Sequence, residues 1–181
     1  AEFVLKLLKK RLFSSPAAFG ITLEKHIATV GGRKAMNTAN RDIEDFSDDY
    51  ANDEEYEAET AEVVASVSQA LSPLSADEKG LLRQLSEFAA RASQRADCKA
   101  QALINWLKAN LRPAGEWNNE RVIIFTEYRA TQKWLYDLLA REGFAEEGRL
   151  EMIYGGMPND HREPIKAAFQ AHPSESKVRI L

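Results

Sequence analysis

One cysteine, Cys98, stands in 181 residues, so no internal disulfide can form and no thiolate metal site is indicated. The three histidines, His26, His161 and His172, are scattered without ligand spacing, and no metal is expected. No apolar run approaches the length of a membrane span and no secretory leader pattern is visible, so the expectation is a cytoplasmic protein with no membrane partner. There is no GxxxxGKS/T loop to cradle a nucleoside triphosphate. The pair Gly155-Gly156 lacks the third glycine and the spacing of a dinucleotide fingerprint. Nothing reads as an activated nucleophile or as a carboxylate pair sharing acid–base work, so no catalytic residue is expected.

Positive charge is missing from one long stretch. Residues 42–62 hold eleven acids and no Lys or Arg, whereas residues 1–41 hold eight Lys/Arg against two acids. The net charge of −4 therefore conceals opposed blocks. Blocks of like charge are usually solvated or mobile, so the acidic run does not argue against a nucleic-acid partner. What is present is ample for a core: 44% of the residues are apolar.

The pattern predicts helices first. Residues 2–13 place Val4, Leu5, Leu8 and Leu12 on one stripe, with Lys6, Lys9 and Lys10 on a basic face. Ser15-Pro16 supplies a cap and a first-turn proline for a helix over 16–29, ended by Gly31-Gly32. Residues 33–54 lack periodicity and a helix resumes near 55–71. Ser75 and Glu78 form a capping box for a helix over about 76–95. Asp77-Glu78 follows no strand and reads as capping rather than as an ATPase carboxylate pair. A further helix covers about 97–111, with Leu103, Leu107 and Leu111 on one face.

Beyond residue 120 the texture changes. "RVIIFT" (121–126), "RLEMIY" (149–154) and "KVRIL" (177–181) read as strands. Between them lie a helix with Trp134, Leu135, Leu138 and Leu139 inward and a helix near 160–170 with Ile165, Ala168 and Phe169. This alternation predicts an α/β fold: a helical N-terminal region, then a parallel βαβ sheet that breaks off in its third strand. The expected divisions are 1–32, 33–62, 63–96 and 97–181.

Ligands of open parallel sheets bind outside the carboxyl ends of the strands. The first such end offers Thr126, Tyr128 and Arg129; the second offers Gly155 and Gly156, followed by Asn159 and Arg162. A hydroxyl, glycine amides at a helix start and a guanidinium fork suit a phosphate rather than bond cleavage. Pro164 cannot donate its amide, which predicts a helix that starts late, near His161 or Arg162, or is distorted in its first turn.

These residues resemble a family. "RVIIFTEYRATQKWLYDLL" looks like motif IV of superfamily 2 helicases, and "IYGGMPNDHREPIKAAF" looks like the element that follows it. "VLKLLKKRLFSSPAAFGITLEKH" resembles the helical segment after the first motor lobe of Swi/Snf-related members. The resemblance touches about 1–30 and 97–181, and the stretch between looks like the helical insertion of the second lobe. It implies a piece of an ATP-driven motor on duplex DNA, holding linker helices, the insertion and the first half of a RecA-like second lobe. The implied partners are the phosphate backbone of DNA and the N-terminal RecA-like lobe of the same chain. Thr126 and the Gly155-Gly156 loop would then face DNA, and Arg162 would match a phosphate-contacting arginine. Asn159 stands where relatives often carry Gln, and Pro164 departs from the usual pattern. ATP and magnesium would bind motifs that this sequence lacks, so the piece is not expected to hydrolyse ATP alone. The alternative reading is a non-catalytic helical module that binds a partner protein through its charge blocks.

Overall fold

The computed structural model describes residues 2–31 and 74–181. The expected mobile stretch and acidic run (33–62) and the expected helix at 55–71 lie outside the described residues. By the density of its own contacts the chain divides between Ser93 and Gln94 into two units.

The described residues of the first unit are helical. Helix α1 (Glu2–Ser14) leads through one residue into α2 (Pro16–Gly31), and α3 covers Ala76–Ser93. The Ser15 hydroxyl accepts from the Ala18 amide at 3.1 Å, with Pro16 opening the first turn, so the capping signal acts as its chemistry dictates. At α3 the Ser75 amide donates to Glu78 Oε2 at 2.8 Å and the Glu78 amide to Ser75 Oγ at 3.2 Å. The Ser75 amide first, and then the Ser75 hydroxyl, hold the Glu78 carboxyl below its ordinary value. Phe19, Leu23 and Ala89 form a core packed by Leu8, Ile27 and Leu82. Helices α2 and α3 approach closely because Gly20 faces Ala89, whose Cβ lies 3.4 Å from where a Gly20 Cβ would stand. The stripe expected on α1 is rotated. Val4, Leu7 and Arg11 are buried, while Leu5 and Leu12 are 54% and 41% exposed. An arginine stem can cover apolar surface, so counting apolar letters misplaces the face.

In the second unit, α4 (Cys98–Leu111) begins at Asp97, whose carboxylate accepts from the Ala100 amide at 2.8 Å. It buries Ala100, Ile104, Leu107 and Leu111. Helix α5 (Arg129–Arg141) buries Trp134, Leu135, Leu138 and Leu139. Gly143 follows it with φ +81° and Phe144 turns into the core. Helix α6 spans Asn159–Gln170. Short 3-10 turns lie at Pro113–Gly115 and Glu146–Gly148.

The expected partial RecA-like parallel sheet is not there. No strand forms among the described residues, and the three apolar segments meet at isolated parallel bridges, Val122 with Ile180 and Leu150 with Ile180, with a few backbone hydrogen bonds beside them. The α/β reading is overturned in favour of a helical fold with extended connections. The hydrogen bonds show why pairing stays local. The Arg149 amide turns back to the Glu146 carbonyl at 3.3 Å instead of joining a ladder. The Val178 carbonyl is taken by side-chain donors, Arg121 Nε at 3.3 Å and Arg179 Nη1 at 2.9 Å. Phe125, expected inside a sheet, is 89% exposed.

Helix α6 also starts earlier than Pro164 suggested. Pro158 caps it, and its carbonyl accepts from the His161 and Arg162 amides at 3.1 and 3.0 Å. The proline therefore sits inside the helix, where its missing amide would have served the Asp160 carbonyl. No described helix is long and apolar enough to cross a membrane.

Candidate functional site

Without strands there are no strand ends to gather the expected residues, and the site is assembled by a turn and two arginines. Tyr154 precedes the turn Gly155-Gly156, which closes with the Met157 amide donating to the Tyr154 carbonyl at 3.3 Å. Gly156 takes φ +80°, a left-handed conformation natural to glycine, and it is exposed. Arg162, one turn into α6, donates from Nη2 to the same Tyr154 carbonyl at 3.2 Å. Its buried Nε has no acceptor among the described residues.

Arg129 meets the ring of the same Tyr154. Its guanidinium carbon stands 3.5 Å from the centre of the tyrosine ring, within cation–π range. One Nη group also donates to Gln132 Oε1, and the Gln132 amide donates to the Ile153 carbonyl at 2.7 Å. Both expected arginines thus converge on one residue, Tyr154, that sequence reasoning did not single out. Arg129 and Arg162 are each half-buried, so their charge is held at the surface beside an open glycine.

The remaining expected residues divide. Asn159 is exposed at the first position of α6, near this turn in sequence. Thr126 is half-buried in a shallow cleft lined chiefly by Leu135, Leu139, Leu150 and Ile180, with Gln132, which also holds Arg129, and Glu151 as polar members. Desolvation there pushes the Glu151 carboxyl above its ordinary value. Tyr128 is 2% exposed and belongs to the core. Its side chain does not present itself to a ligand.

A second cationic group went unnoticed in the sequence. Trp117 carries Arg112 at 5.3 Å and Arg149 at 5.0 Å from its ring centre, and Arg112 also lies over Phe144 at 5.9 Å. Arg179, nearly buried, is within electrostatic reach of Arg121 and Arg149; burial first, then those two charges, lowers its pKa. Ala114 and Glu147, in the flanking 3-10 turns, hold φ of 57° and 58°, a left-handed backbone that costs a non-glycine residue about 1–2 kcal/mol. The signal was the arginine and tryptophan spacing of "LRPAGEWNNER", which has no periodic signature. No cluster of residues able to hold a metal ion occurs among the described residues. No protein-family model, curated protein or solved structure matches the chain.

Proposed function

We propose that this chain is part of an ATP-dependent DNA translocase of the Swi/Snf-related type, working in the cytoplasm, and that the face around Gly155-Gly156 grips the phosphate backbone of duplex DNA. The observation that carries the reading is Arg162. One of its nitrogens is anchored on the Tyr154 carbonyl, while its buried Nε has no acceptor among the described residues. An anchored guanidinium beside an exposed glycine with positive φ lets a phosphate oxygen approach closely, and ordering the side chain in advance lowers the cost of binding. Arg129, stacked on Tyr154, adds a second charge to the same face. The motif resemblance supplies the duplex and the motor; the chain's own residues supply contact, not catalysis. ATP and magnesium belong to motor motifs that this sequence lacks.

The test is a titration of duplex DNA with the full chain across a series of salt concentrations. Phosphate contacts predict weak binding whose log affinity falls linearly with log salt. Arg162→Ala should weaken binding to all sequences alike and reduce the salt slope by about 1. An unchanged slope and affinity would remove Arg162 from the interface and this reading with it.

A further inference from the structure

The two arginines on Trp117 are not equivalent. Arg149 donates from Nη2 to Glu147 Oε2 at 2.8 Å, and the same carboxylate oxygen accepts from Lys177 Nζ at 2.9 Å. Those cations hold the Glu147 carboxyl below its ordinary value, the Lys177 hydrogen bond contributing most. Arg112 lies against the same indole, yet its side chain makes no hydrogen bond or ion pair among the described residues. Its Nε is buried, which leaves the two Nη groups as the available donors. Gly143 lies beside Nη1: a Cβ there would stand 3.4 Å from Nη1 and 3.2 Å from Glu146 Oε1. Glu146 thus lies on the same side of Gly143 as Arg112.

We propose that Arg112, held on Trp117 and Phe144, is a receptor for a carboxylate side chain of an acidic peptide segment in a partner protein. A guanidinium within cation–π reach of two rings is partly ordered before the ligand arrives, and its planar Nη pair matches the two oxygens of a carboxylate. The neighbouring Arg149–Glu147 pair shows the same chemistry already satisfied on the same ring. Arg149 shares the indole with Arg112, and Arg121 and Arg149 in turn lie within electrostatic reach of Arg179. This surface is built from α4, the two 3-10 turns and the segment after α5, and it is independent of the Gly155-Gly156 face.

The probe is a capped decapeptide of alternating Glu and Gly, compared with its Gln-Gly counterpart and with inorganic phosphate, titrated into the full chain. Indole N–H resonances are followed by NMR. The Glu peptide should shift the Trp117 resonance and leave that of the half-exposed Trp106 in place, while the Gln peptide shifts neither. Arg112→Lys keeps the charge and loses the planar fork, so it should bind the Glu peptide about tenfold more weakly. Glu146→Gln removes a rival carboxylate and should tighten binding. A Trp106 shift in place of a Trp117 shift, equal binding of the Gln peptide, or unchanged affinity in Arg112→Lys would each overturn the proposal. Phosphate binding tighter than the peptide would overturn the assignment to a carboxylate. The comparison of the three probes on the unaltered chain stands even if Arg112→Lys does not fold.

Discussion

Glu151 is a carboxylate placed among Leu135, Leu139, Leu150 and Met152, with Thr126 and Gln132 as polar neighbours in the cleft. Its amide has a use, donating to the Ile180 carbonyl at 3.0 Å, so the residue's position is fixed by the backbone while its side chain is partly stripped of water. Desolvation raises its pKa above the ordinary 4.5. The folded chain then holds this proton more tightly than the unfolded chain does. Below the ordinary value both forms are protonated and the group is neutral in the balance. As pH climbs through the ordinary value toward the raised one, the unfolded chain loses its proton first and stability falls. Glu151→Gln should therefore raise the thermal midpoint at neutral pH, and the gain should vanish below about pH 3.5. Parallel melting curves of the two proteins at both pH values decide it; an equal gain at acid pH would show a packing effect instead of a charge effect.

Among the elements, α6 carries the clearest conflict between local preference and the fold. Pro164 lies inside the helix, beyond the first turn, where it removes one intrahelical bond and its ring presses on the Asp160 carbonyl. The helix nonetheless runs for 12 residues. Replacing the proline by alanine restores the bond but frees the unfolded chain, so Pro164→Ala should stabilise by roughly 2 kcal/mol net. Urea unfolding reads this directly, and a loss of stability would show that the helix depends on the proline's restricted backbone. The other helices were legible because their signals are local. Ser15, Ser75 and Asp97 each bond an amide three residues on, and α5 buries the four residues that its period indicates. The extended segments were not legible for the opposite reason. "RVIIFT" carries the composition of a buried strand, and its Val122 and Ile124 amides do reach the Arg179 and Leu181 carbonyls, but the pairing does not extend, because the Arg149 amide and the Val178 carbonyl are committed to a turn and to two guanidinium groups. The candidate site was half legible. Arg129, Arg162 and the glycine pair announced themselves by type and position. Their meeting at Tyr154 depends on α5 and α6 being brought to one turn, and the Arg112–Trp117–Arg149 stack depends on contacts across 32 residues of chain.

At the scale of the whole molecule, each unit carries its own core, and the second is held by more than apolar contact. Ile104, Leu107, Leu111, Leu139, Phe144 and Ile180 are almost wholly buried there, yet the extended segments meet through single bridges. Arg179 adds a side-chain connection to the few backbone bonds between them. Its guanidinium donates to the carbonyls of Asn118 at 3.1 Å, Ser176 at 2.8 Å, Val178 at 2.9 Å and Pro173 at 3.2 Å. It thereby fastens the chain after α6 to the segment after α4, 61 residues away. Burial and two neighbouring arginines oppose its charge, so the carbonyls must offset that cost. Removing the guanidinium leaves several carbonyls without donors, each worth about 1 kcal/mol or more where water cannot replace it. Arg179→Met should therefore destabilise the second unit by at least about 2 kcal/mol despite its greater hydrophobicity. Arg179→Lys should recover less than half, because three rotatable donors on one nitrogen cannot span four carbonyls. The measurement is the urea midpoint followed by near-ultraviolet signal, where Trp117 and Trp134 report on this unit. If Arg179→Met matches the unaltered chain, the guanidinium is dispensable, and backbone hydrogen bonds with apolar packing hold the extended segments in place.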